Sequence, residues 1–194
     1  MKFKKLVPAL ALSAAALMAV AAPALAGRTV VPSSYKVVAW NDLGMHCACP
    51  TFAGFLLLPP FNTVRAQVLG YGSNDPVIID STNAGTYGVT VSYAMADNTE
   101  STLQADPYFQ QWITYSPKLF PGFVPVVGGK VQGLAGKGIS GTMDYDSTLK
   151  DWTATGIPAY PLVDANSAKN IMTDPLGGAN RNPYPMTNVY VKNS

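Results

Sequence analysis

From Gly27 onward a glycine or a proline interrupts this chain every few residues, which constrains the fold more than any other feature. All 17 glycines, and all of the 16 prolines except Pro8 and Pro23, fall in that region. Long helices need unbroken runs of good helix formers, and such runs are scarce here. Tyrosine, at 10 residues, and valine suit pleated, half-buried surfaces instead. The expectation is an all-β protein: one β-sandwich-like domain with long Pro/Gly-rich loops.

The first 26 residues read as an export signal. Lys2, Lys4 and Lys5 make a basic start, Leu6 to Ala22 are almost wholly apolar, and "ALA" ending at Ala26 fits the small-x-small cleavage rule. The predicted organisation is residues 1–26 as signal peptide and residues 27–194 as a single β-rich domain in the periplasm or outside the cell. No later apolar run is long enough for a helical membrane span. The full chain carries 13 basic and 11 acidic residues; without the three leader lysines the balance is 10 − 11 = −1. That charge offers no basic field for nucleic acid and no polybasic patch for a membrane surface.

Several strands are legible from period-two patterns. "YKVVAW" (35–40) is a short β-rich run. "NTVRAQVL" (62–69) sets Val64, Ala66 and Val68 on one face against Arg65 and Gln67 on the other. "VIID" (77–80) is a short apolar strand, and "YGVTVSYAM" (87–95) turns Val89, Val91 and Tyr93 inward. The aromatic, proline-rich stretch 106–136 suits irregular or short-helical structure. "GISGTMDYD" and "DWTATGIP" pair as a hairpin around Ser147 to Lys150. A polar stretch, 164–181, loops back to a last strand with Met186, Val189 and Val191. About eight strands in two layers follow from this reading.

The single histidine and both cysteines sit together in "NDLGMHCACP" (41–50), beside Met45. Asn41 and Asp42 are turn-forming residues and Gly44 permits a tight reversal, so the segment reads as a loop presented at a strand end. Thiolate, thioether and imidazole select copper, or zinc for the thiolate and imidazole subset. The candidate metal ligands are His46, Cys47 and Cys49, with Met45 as a weak axial ligand. Asp42 is a further ligand or the partner that orients the imidazole. Trp40, Phe52, Phe55 and Phe61 are candidates for excluding water from the site. A strained, reducible Cys47–Cys49 bridge gives the motif a redox reading. A third reading makes these residues purely structural.

Catalytic signatures are missing from the sequence. A nucleophile elbow G-x-S-x-G does not occur, and adjacent His46 and Cys47 are badly placed to act as base and nucleophile. Covalent haem requires C-x-x-C-H, whereas "HCAC" runs the other way. "DYDST" (144–148) lacks the glycine and distal glutamate of a calcium loop and reads as a hairpin tip.

Five stretches in order, "VVAWNDLGMHC" (37–47), "LLPPFNTVRAQV" (57–68), "VTVSYAM" (89–95), "TATGIP" (153–158) and "NPYPM" (182–186), resemble a secreted β-module. That module is found in proteins accompanying multihaem c-type cytochromes of metal-reducing bacteria. The resemblance spans most of the chain after residue 36 and implies an extracytoplasmic setting, with c-type cytochromes or other surface proteins as partners. This chain departs from it twice. "ACPT" follows the M-H-C core where similar proteins continue with acidic residues, and Arg65 stands where they tend to have histidine. If that histidine is a ligand in the module, Cys49 is its replacement here, because a guanidinium cannot coordinate a metal. Alongside an electron-transfer role, the sequence supports a non-catalytic assembly module that binds other extracellular proteins through Tyr-rich faces and an exposed strand edge.

Overall fold

The computed structural model describes residues 32–47, 58–72, 75–160, 162–164 and 185–193. At residues 45–47 and 58–60 the described structure is the backbone. The predicted export segment, Cys49, Phe52, Phe55 and the stretch 165–181 lie outside the described residues.

The protein is all-β in character, with ten strands and two helices among the described residues. The larger sheet joins β1 (Ser34–Cys47), β2 (Leu58–Tyr71), β9 (Asp151–Ile157) and β8 (Asp144–Asp146) in that spatial order. The short β3 (Val77–Ile78) also pairs with β2. A second sheet runs β10 (Thr187–Asn193), β4 (Val89–Met95), β7 (Ser140–Thr142). A ribbon of β5 (Val126–Val127) and β6 (Lys130–Val131) makes a third. Every pairing is antiparallel.

Both large sheets feed one core. Val64, Ala66 and Val68 of β2, Val91 and Tyr93 of β4, and Trp152, Ala154 and Ile157 of β9 are all buried in it. The alternation expected for 62–69 and 87–95 is therefore present, β4 following it without a break. The hairpin around 147–150 also forms, closed by Asp146 Oδ1 accepting from the amides of Thr148 (2.9 Å) and Leu149 (3.1 Å). β9 carries a one-residue insertion opposite Thr63, where Gly156 adopts φ +74°. A Cβ there would fall 2.4 Å from that of Ala135 and 2.8 Å from the Phe61 ring, so only glycine fits.

Stretch 106–136 contains more helix than a short-helical reading implies. Thr99 caps α1 (Glu100–Ala105), and Asp106 caps α2 (Pro107–Leu119) by accepting from the Phe109 amide at 2.9 Å. Pro107 occupies the first helical position, where its missing N–H costs nothing. The Phe109 ring meets buried Tyr160 edge-on at 4.8 Å, which fastens α2 to the core.

Candidate functional site

The segment 41–47 is strand rather than turn. β1 continues through Asn41, Asp42 and Gly44 to Cys47, paired with β2 on either side of two register shifts. The tight reversal expected at Gly44 is absent: Gly44 is not among the glycines at positive φ. Its physical role is close approach. A Cβ there would meet the Asn41 side-chain amide at 2.8 Å and Asn62 Oδ1 at 3.2 Å.

Turn chemistry in "NDLG" instead builds a β-bulge. Asn41 pairs with Val64 and Leu43 with Thr63, which leaves Asp42 as an extra residue on β1. The Asn41 amide, oriented to satisfy its neighbours, donates to the carbonyls of Leu43 (2.9 Å) and Thr63 (3.0 Å) and holds the bulge. Asp42 is then free to reach across the strand, and its Oδ2 accepts from Arg65 Nε at 3.1 Å.

Arg65 ties four strands together. Its Nη1 donates to both oxygens of Asp151 at 2.7 and 3.0 Å, and Nη2 to Asp146 at 3.4 Å. The sequence places Arg65 on the outer face of β2, which is correct, but the residue is only 8 % exposed. Desolvation works against its charge, yet the Asp42 and Asp151 carboxylates outweigh it and raise its pKa above the usual value. The three acceptors are unequal, since the Asp151 side chain is 5 % exposed and that of Asp42 is 52 % exposed. The bidentate Asp151 contact is the strong one. In this cluster Asp42 serves Arg65, and its Oδ1 has no described partner.

A second irregularity lies at the M-H-C end. Met45 faces Phe61 and Cys47 faces Leu58, so His46 alone stands opposite the pair Pro59–Pro60. Prolines donate no ladder hydrogen bond, which explains why the register slips at this point. Among the described residues no group of three or more His, Cys, Asp or Glu side chains is placed to hold a metal.

The sequence does not say which strand forms an exposed edge; among the described residues β1 is one. It is the outermost strand of its sheet, and no described strand pairs with its far side. Its register puts Val37 and Ala39 across from Val68 and Ala66 on the core face, and Val38 and Trp40 across from Gln67 and Arg65 on the outer face. Residues of both faces are open: Val38 is 57 % exposed, and Val37, Ala39, Trp40 and Leu43 are exposed as well. Trp40, expected as a water-excluding wall, is part of this open surface. Phe61 is half-buried against Gly156.

No protein-family model matches the chain, and neither curated proteins nor solved structures contain a match to it.

Proposed function

We propose that this chain is an exported, non-catalytic assembly module that docks another protein by strand addition to the free edge of β1. One observation carries the reading. A fourteen-residue strand, paired on one side only among the described residues, presents valine, tryptophan and leucine to solvent. Soluble proteins usually blunt or cover long apolar edges, and open ones recruit a further strand. The Asp42 bulge divides β1 into a regular stretch from Ser34 to Asn41 and an irregular one from Leu43 to Cys47. The first of these is the template for a partner strand. The Arg65 cluster anchors that template to the rest of the sheet.

The test compares native mass in extracytoplasmic fractions for wild type, Val38→Lys and Cys47→Ser. Val38→Lys places a charge on an exposed edge position that the fold does not need. The expected result is loss of the assembled species in Val38→Lys and its retention in Cys47→Ser. An assembly untouched by Val38→Lys sinks the proposal.

A second reading is favoured by the slipped register between Met45 and Cys47. Bulges re-aim side chains and are frequent beside functional sites. In this reading Met45, His46, Cys47 and Cys49 form a soft-metal (copper or zinc) or redox centre serving extracytoplasmic c-type cytochromes. Asp42, given its bond to Arg65, reaches such a centre only with Oδ1. Elemental analysis separates the two readings: stoichiometric copper or zinc in wild type and none in Cys47→Ser supports the metal reading, and equal content in both overturns it.

A further inference from the structure

We infer that the strand added to β1 is β1 of a second copy of this chain, antiparallel about a two-fold axis at Ala39. This rests on the proposal that the β1 edge is a docking surface, and it names the occupant.

A two-fold axis perpendicular to the sheet keeps outer face beside outer face, so residues whose numbers differ by an even amount pair across the junction. Centring the axis on Ala39 sets Val38 opposite Trp40 of the second copy and Lys36 opposite Asp42. The first is an aromatic–β-branched cross-strand pair, and the second joins opposite charges; both kinds stabilise antiparallel ladders. Every term occurs twice by symmetry. Shifting the axis by one residue either way loses the Lys36–Asp42 match.

The structure equips these residues for that register. Lys36 is exposed, on the same face as Val38 and Trp40. Asp42 is turned by the bulge toward the outer face, where Arg65 takes Oδ2, and its half-exposed carboxylate leaves Oδ1 for a lysine. Ala39 at the axis is small, so two strands approach without a clash. The bulge at Asp42 ends regular pairing on both sides, which limits the shared ladder to residues 36–42 of each copy and stops growth into longer stacks. The dimer consumes the regular stretch of the β1 edge in both copies.

The experiment uses sedimentation velocity on the purified full chain over a concentration series, with Lys36→Glu as the diagnostic variant. Wild type is expected to be a dimer, and Lys36→Glu, which sets like charges opposite each other twice, to weaken dimerisation on the order of tenfold or more. Position is read separately. In a Cys47→Ser/Cys49→Ser background, Ala39→Cys is expected to crosslink to itself with a short bis-maleimide, while Ser147→Cys at the β8–β9 turn is not. A wild-type monomer at all concentrations overturns the inference, as does a dimer indifferent to Lys36→Glu or one in which Ala39→Cys fails to crosslink. A monomeric purified chain whose native assembly is still lost in Val38→Lys overturns the self-pairing while the docking role stands. A native assembly indifferent to Val38→Lys overturns both.

Discussion

β1 and β9 are both neighbours of β2, hydrogen-bonded to its opposite edges, yet they live in different solvents. β9 is buried at five of its seven positions and delivers Trp152, Ala154 and Ile157 to the core. β1 is twice as long and exposed at ten of the eleven positions whose burial is described. Composition does not explain the difference, since "YKVVAW" is at least as apolar as "DWTATGI". Position does. β9 has β8 on its far side and shares the core with the second sheet, whereas β1 has no described strand on its far side. Apolar character without burial is the observation on which the proposed docking role of β1 rests.

The largest break in this comparison comes from the residue that links the two strands. Arg65→Met removes the cation from Asp151, which stays buried with its charge uncompensated. The expected loss is on the order of 3–5 kcal/mol, measured by urea denaturation. Next comes β9 itself: Ile157 is fully buried, and Ile157→Ala is expected to cost about 3 kcal/mol through lost burial and a residual cavity. Asp42→Asn, at the half-exposed end of the Arg65 cluster, is expected to cost about 1 kcal/mol or less. At the small end, Val38→Ala on β1 should shift stability by no more than about 0.5 kcal/mol. Equal losses for Val38→Ala and Ile157→Ala would erase the distinction between the strands.

Acid sharpens the picture around the hairpin. Asp80 is held below the usual carboxylate range by the Thr82 hydroxyl and the Thr82 and Asn83 amides, and Asp146 by the amides of Leu149 and Thr148. A depressed folded pKa gives stability that is complete above the unfolded value near 4 and is lost as pH falls through the folded value. Stability is therefore expected to be level down to about pH 5 and to fall below about pH 4. Tyr93 works in the opposite range. Burial, reinforced by Asp144, pushes its phenol up to about 12, so its contribution is lost between about pH 10 and 12. A spectrophotometric titration should show Tyr93 ionising only with alkaline unfolding.

Much of the fold was legible in local pattern. The Val64–Val68 and Val89–Tyr93 alternations and the turn at 147–150 depend on neighbours in sequence, and all three formed as read. The helices were under-read because their signal lies in caps rather than in a long apolar period. Thr99 before Glu100, and Asp106 before Pro107, are the residues that start them. At the site, Asn41, Asp42 and Gly44 carry side chains that favour turns and bulges alike. Only the pairing with β2 decides for the bulge, and that is a long-range fact. Arg65 was placed on the correct face, but its burial depends on Asp146 and Asp151, more than eighty residues away. Exposure of β1 follows from strand order, which alternation cannot encode.

Amide hydrogen exchange of β1 against β9 tests the central claim most directly, in dilute protein and in the assembled state. The account predicts that half of the Lys36–Asn41 amides, those facing away from β2, exchange quickly in dilute protein and become protected on assembly, while β9 stays protected in both. Protection of all β1 amides already in the dilute monomer, unchanged by assembly, would contradict it.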